Sequence, residues 1–222
     1  MTDPVKVDIW SDIACPWCFI GKRKFEAGVA ASGVPVEVEY HSFELAPDTP
    51  VDFEGSEREY LASRGFPAER IPEMIDRVTG IAAGVGLHYD YDALRHTNTV
   101  KAHQLLHLAK ERGRQIELME RLLAAYFEQG RHLGHDEELA DLAAEVGLDR
   151  EEALAVLREN RYLDAVRDDQ AHARQLGITG VPFFVFEGRY GVSGAQESAT
   201  FADVLAQVVQ QREAVPSGEG AA

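Results

Sequence analysis

Two cysteines stand three positions apart in Ser11-Asp12-Ile13-Ala14-Cys15-Pro16-Trp17-Cys18, and the chain has no others. Thiols at this spacing either exchange electrons by making and breaking a mutual disulfide or supply half of a tetrahedral zinc site. Pro16 suits the first turn of a helix, where its missing N–H costs nothing, so Cys15 falls at the helix start. Unpaired backbone N–H groups and the helix dipole there favour a thiolate and pull its pKa below the roughly 8.5 of a free cysteine. Cys15 is then a nucleophile near neutral pH. Cys18 shares a helical stripe with Gly21, Phe25 and Val29, which makes it the less accessible sulfur and the resolving thiol. Pro16 and Trp17, lying between the sulfurs, shape the redox potential of the pair. Asp12 either takes part in proton transfer or caps the loop, and capping is the simpler role.

A zinc site would need two more ligands. His103 and His107 are four apart on one expected helix, and His132 and His135 lie close together, yet no second Cys-x-x-Cys or finger-like spacing accompanies them. No metal is assigned on this pattern. His103 and His107 read as ordinary helix-face residues, and His41, His88, His96 and His172 carry no spacing signal.

The elements that must position the pair follow from periodicity. Val5, Val7 and Ile9 alternate with Lys6 and Asp8, as Val34, Val36, Val38 and Tyr40 do with Glu37 and Glu39, the period of two of strands. A helix from about Pro16 to Ala31 lies between them. The result is a βαβ unit whose strands should be parallel neighbours. From about Asp48 to Gly177 helical periodicity takes over, with Gly113, Gly130, Gly147 and Gly177 closing amphipathic runs. Asp149 and Glu152 resemble a capping box opening a helix over Glu151 to Asn160. After Gly177 the pattern returns to strands, Phe183 to Phe186 and Tyr190 to Ser193, joined as an antiparallel hairpin and followed by a helix over Ser198 to Arg212. Residues 1–47 and 178–213 thus form one α/β domain, 48–177 an inserted helical block, and 214–222 a tail expected to be disordered.

Composition narrows the partners. Of 222 residues 45% are hydrophobic and 27% charged, enough for a real core. Lys and Arg total 22 against 38 Asp and Glu, a net charge of −16 that repels nucleic acid and anionic lipid. The apolar run Val181 to Phe186 falls far short of the roughly 18 residues a membrane span requires. The first ten residues show neither a basic nor an unbroken apolar stretch of an export signal, so a cytoplasmic location is expected.

Cys15-Pro16-Trp17-Cys18 after a strand, Gly180-Val181-Pro182-Phe183-Phe184-Val185 near the end, and a helical insertion between them resemble the DsbA-like thioredoxin superfamily. The FrnE family is similar in more detail: Ser11-Asp12, Gly21-Lys22, Asn98-Thr99 with Ala102-His103, and Val192-Ser193-Gly194-Ala195-Gln196. The resemblance spans roughly residues 5 to 210 and implies a thioredoxin-like fold with a large inserted all-helical domain. It also implies a cis-proline loop facing the redox pair, with Pro182 at the matching position and Val181 offering backbone groups to a substrate strand. From the residues alone, Pro182 reads equally well as a strand-entry proline.

The expected function is a cytoplasmic thiol–disulfide oxidoreductase, with Cys15 attacking and Cys18 resolving, and with no cofactor. Its partners would be protein or small-molecule thiols and disulfides, glutathione among them. A reducing cytosol favours reduction or isomerisation over net oxidation. The FrnE resemblance also implies a link to aromatic polyketide biosynthesis. Two rivals stand beside this reading. Glutathione-dependent isomerases and kappa-class transferases share the fold but generally use serine where Cys15 stands; in that reading Asn98, Thr99 and His103 line a small-thiol or aromatic-substrate pocket between the domains. Helix capping by Thr97 or Asn98 accounts for the same residues equally well. The second rival is a noncatalytic module that holds client proteins. A homodimer stays open.

Overall fold

In the computed structural model, which describes residues 3–214, β1 (Val5–Ser11), α1 (Pro16–Ser32) and β2 (Val36–Ser42) form the βαβ unit. β1 and β2 run parallel, with Val5 opposite Val36 and Ile9 opposite Tyr40. The second strand begins two residues later than its alternation predicts. Pro35 has no N–H for the ladder, and its carbonyl serves only to receive Val5 N–H at 2.8 Å.

Between β2 and the late hairpin come β3 (Gly55–Ser56), α2 (Glu57–Ser63), α3 (Ile71–Ala83), β4 (Arg95–His96), α4 (Val100–Glu111), α5 (Gln115–Gln129), α6 (Asp136–Glu145), α7 (Arg150–Glu159) and α8 (Leu163–Gln175). The middle is therefore not purely helical, because Gly55 and Ser56 pair antiparallel with His96 and Arg95. Two residues per strand are too few to show alternation. Gly130 ends α5 in the left-handed conformation, while Gly113, Gly147 and Gly177 take positive φ just beyond α4, α6 and α8. The Asp149 side chain accepts from Glu152 N–H at 2.7 Å, but the Glu152 carboxylate turns to Arg112, so only half of the expected capping box forms. A complete one forms at Ser56 and Glu59 instead.

The chain closes with β5 (Phe183–Phe186), β6 (Tyr190–Ser193) and α9 (Ser198–Ala214). The helix runs two residues past Arg212, and the tail expected beyond it lies outside the described residues. The sheet order is β2-β1-β5-β6, with β5 antiparallel to both β1 and β6. One face carries Val7, Ile9, Phe184 and Phe186 into a core shared with Phe25 of α1 and Phe201 of α9. Aromatic centroids meet there at 4.7 to 5.5 Å. Gly28 lets the two helices touch, since a Cβ there would stand 2.7 Å from both Phe201 Cβ and Ser198 O. The other face is covered by α8, where Trp10 and Val185 pack with Ala173 and Ile178. Among the described residues no helix is long and apolar enough to cross a membrane.

Candidate active site

β1 delivers the chain to a short turn, Asp12 to Ala14, after which α1 starts. Cys15 is the N-cap of α1, with extended backbone at φ −90°, ψ 113°, and Pro16 opens the first turn. Cys15 N–H donates to Asp12 O (3.2 Å) and Cys18 N–H to Cys15 O (3.0 Å), which folds the motif into a tight loop. Both thiols are free. Asp12 N–H points at Cys18 Sγ from 3.5 Å. Burial, followed by the hydrogen bond and charge shared with Cys15, pushes the Cys18 thiol well above its ordinary pKa. The expected lower accessibility of Cys18 does not show in overall burial, since each cysteine is 3% exposed. What separates them is direction: Cys15 lines an open cavity and Cys18 does not.

The Val181–Pro182 bond is cis. Cys15 Sγ donates to the Val181 carbonyl oxygen across 3.6 Å, so the loop stands directly against the Cys15 sulfur. Gly21, one turn beyond Cys18, makes this approach feasible: a Cβ there would stand 2.8 Å from Pro182 Cγ. On the opposite side Tyr89 Oη donates to Pro16 O at 2.7 Å and ties the start of α1 to the middle of the chain. No sequence signal marked Tyr89, because its partner lies far away along the chain.

Asp12 both caps and faces a charge. Its carboxylate receives Leu45 N–H at 2.8 Å and Ala14 N–H at 3.4 Å. Oδ1 also lies 3.4 Å from His103 Nε2. Burial works to raise the Asp12 pKa, but the facing His103 imidazole and the Leu45 N–H outweigh it, and the net shift is downward. His103 is fully buried on α4, not an ordinary helix-face residue, and neither ring nitrogen has a hydrogen-bond partner among the described residues. The helix-face reading of His107 is also corrected: its Nε2 lies 3.2 Å from both Ser42 Oγ and an Asp169 carboxylate oxygen.

A cavity of about 580 Å³ opens beside Cys15. Trp17, Leu45, Tyr60, Phe66, Met74 and Val78 supply apolar wall, and Asp12, Glu57, His96, Thr97 and Thr99 the polar part. Asn98 and His103 do not line it. Asn98 Nδ2 donates to Thr49 O (2.7 Å) and its Oδ1 accepts from Val100 N–H (2.9 Å), so it secures the start of α4 instead. Asn98's neighbours Thr97 and Thr99 face the space it was expected to face. Metal-ligand side chains converge at Glu54–His132–His135 and at Asp8–Glu39–His41 among the described residues, and neither group includes a cysteine. His132 is already engaged at both nitrogens, with Nδ1 receiving Gly134 N–H and Nε2 3.0 Å from Phe53 O.

Comparison with known proteins returns the family described as DSBA-like thioredoxin domain, whose model matches residues 6–206. The uncharacterized protein YwbO of Bacillus subtilis is 31% identical over 82% of this chain and 86% of its own length. A crystal structure of a probable DsbA oxidoreductase from Streptomyces coelicolor superposes with a TM-score of 0.87 at 43% identity, over 94% of this chain and 91% of that one. The cytosolic disulfide reductase DsbM of Pseudomonas aeruginosa, solved also with GSH, shares the fold at a TM-score of 0.67 and 20% identity, over 95% of this chain and 100% of that one.

Proposed function

The chain belongs to the DSBA-like thioredoxin domain family, and from that premise we propose that it exchanges thiols and disulfides through Cys15 and Cys18 in the cytoplasm. One observation carries the reading: Cys15 sits at the N-cap of α1, beside the Val181 carbonyl and open to a cavity, with a second free thiol one helical turn behind it. The Cys15 sulfur, once deprotonated, attacks a substrate disulfide, and one substrate thiol leaves with that proton. Cys18, a thiol until then because of its burial, attacks Cys15 Sγ as its proton passes to the departing sulfur, which releases the second thiol and closes the internal disulfide. Pro16 and Trp17 frame the attacking sulfur, while Val181 and Pro182 hold the substrate against it. Asn98 and His103 act from behind, by securing the start of α4 and by facing Asp12. The cytosolic setting of DsbM and its structure with GSH support the same compartment here and small thiols among the partners.

The test is capture of the intermediate. With a disulfide substrate, Cys18→Ser should accumulate a mixed disulfide on Cys15 that mass spectrometry reads as protein plus half-substrate, and Cys15→Ser should not. Continued turnover by Cys18→Ser at the wild-type rate would instead favour a transferase that uses one thiol.

A further inference from the structure

The cavity beside Cys15 has a strongly biased chemistry. Trp17, Leu45, Phe66 and Met74 stand at its mouth and are all among the exposed large apolar side chains, at 38 to 47%. Exposed apolar residues scattered singly need no explanation, but four around one opening mark a binding surface. Its volume of about 580 Å³ fits one drug-sized molecule and not a polypeptide.

The polar wall is built around Glu57. The buried His96 ring stacks on Tyr60 with centroids 3.3 Å apart. Its Nδ1 lies 2.9 Å from Glu57 Oε2 and its Nε2 3.3 Å from Thr49 Oγ1. His96 is thereby fully engaged and fixes Glu57 in place. The other carboxylate oxygen, Oε1, meets no donor among the described residues. Asp12 adds a second carboxylate to the lining, and Arg77, exposed on α3, stands there as a cation.

We propose that this cavity selects a small apolar disulfide or thiol bearing an amine or hydroxyl donor and no carboxylate, with its donor on Glu57 Oε1 and its sulfur at Cys15. The assignment rests on the exchange reading above and narrows its substrate. Glutathione also bears an amine, but its two carboxylates face two lining carboxylates, Asp12 and Glu57, with Arg77 the one lining arginine or lysine among the described residues, and its little apolar surface leaves the remaining wall unmatched. In the reaction the Cys15 thiolate attacks one sulfur of R–S–S–R, and R–S⁻ departs with the bonding pair and takes up the proton that Cys15 released. Cys18 then attacks Cys15 Sγ, and its proton passes to the second R–S⁻. Two R–SH and a Cys15–Cys18 disulfide result, so the substrate gains two electrons and the protein loses two.

Single-turnover oxidation of the reduced protein tests this with bis(4-aminophenyl) disulfide, bis(4-carboxyphenyl) disulfide, oxidised glutathione and insulin. Each rate is divided by that of the same probe with dithiothreitol. The amine probe should lead both carboxylated small probes by about tenfold or more, the size of one charge-assisted hydrogen bond. Glu57→Gln, with its fold checked by circular dichroism, should shrink that lead by about threefold or more. Equal normalised rates, a lead for glutathione or insulin, or a lead untouched by Glu57→Gln would overturn the assignment while leaving disulfide exchange intact. Failure of every probe to yield the Cys15–Cys18 disulfide would overturn the exchange reading itself.

Discussion

At the scale of single residues, the site depends on how closely backbone approaches sulfur. Gly21→Ala illustrates the competition. A helix-interior glycine is ordinarily stabilised by about 0.5–1 kcal/mol on becoming alanine, but here the new methyl would stand 2.8 Å from the rigid Pro182 ring. Overpacking costs about 1–3 kcal/mol and wins. Urea melts should show a net loss of stability, and stopped-flow exchange should slow as the Val181 carbonyl is pushed from Cys15. The placing of the cysteine pair was legible in the sequence because its members are neighbours: three positions and one proline define a helix start. Asp12 facing His103 was not, since 91 positions separate them and only folding brings α4 behind the loop. By spacing alone His103 read as a helix-face residue; the family resemblance marked it but placed it in a pocket wall, and no local signal at all marked Tyr89 or Glu57.

At the scale of elements, two side-chain devices fasten the sheet to the helices. Gln115 of α5 acts as an extra strand at the edge of β2, with Oε1 receiving Tyr40 N–H at 2.9 Å and Nε2 donating to Tyr40 O at 2.8 Å. Gln115→Leu should leave both buried backbone groups unpaired and cost about 2–4 kcal/mol in denaturant unfolding. The second device is His41 on β2, stacked on Trp10 and held by Asp169 of α8 and Asp8 of β1, each at 2.9 Å. Burial opposes its protonation, but the hydrogen bonds to Asp169 and Asp8 outweigh burial and raise its pKa to about 9. The folded state therefore holds the proton more tightly than the unfolded chain, whose histidine titrates near 6.5. The stabilisation is full below about pH 6.5, fades as pH rises to 9 and is gone above it; it is on the order of 3 kcal/mol. Unfolding free energies at pH 6, 8 and 10 should fall accordingly, and His41→Gln should flatten the fall. The strands and long helices of this scaffold were readable from periodicity. β3 and β4 were not, because their pairing is fixed by distant geometry with two residues each.

At the scale of the whole molecule, charge sets which partners arrive. A net charge of −16 repels anionic disulfides over a distance that salt shortens, from about 30 Å at 0.01 M to about 3 Å at 1 M. The bimolecular rate with oxidised glutathione should rise with added salt, whereas an uncharged disulfide of similar size should show little change in the same stopped-flow series. The order of the sheet carries a separate implication for biosynthesis. β1 is finished at Ser11, yet its neighbour β5 starts only at Phe183. A ribosome adding about 5–20 residues per second needs roughly ten to thirty seconds to cover that gap. Throughout that interval the nascent polypeptide carries Cys15 with no Val181 carbonyl to meet its sulfur, so the closing of that contact is among the last events in the making of this protein.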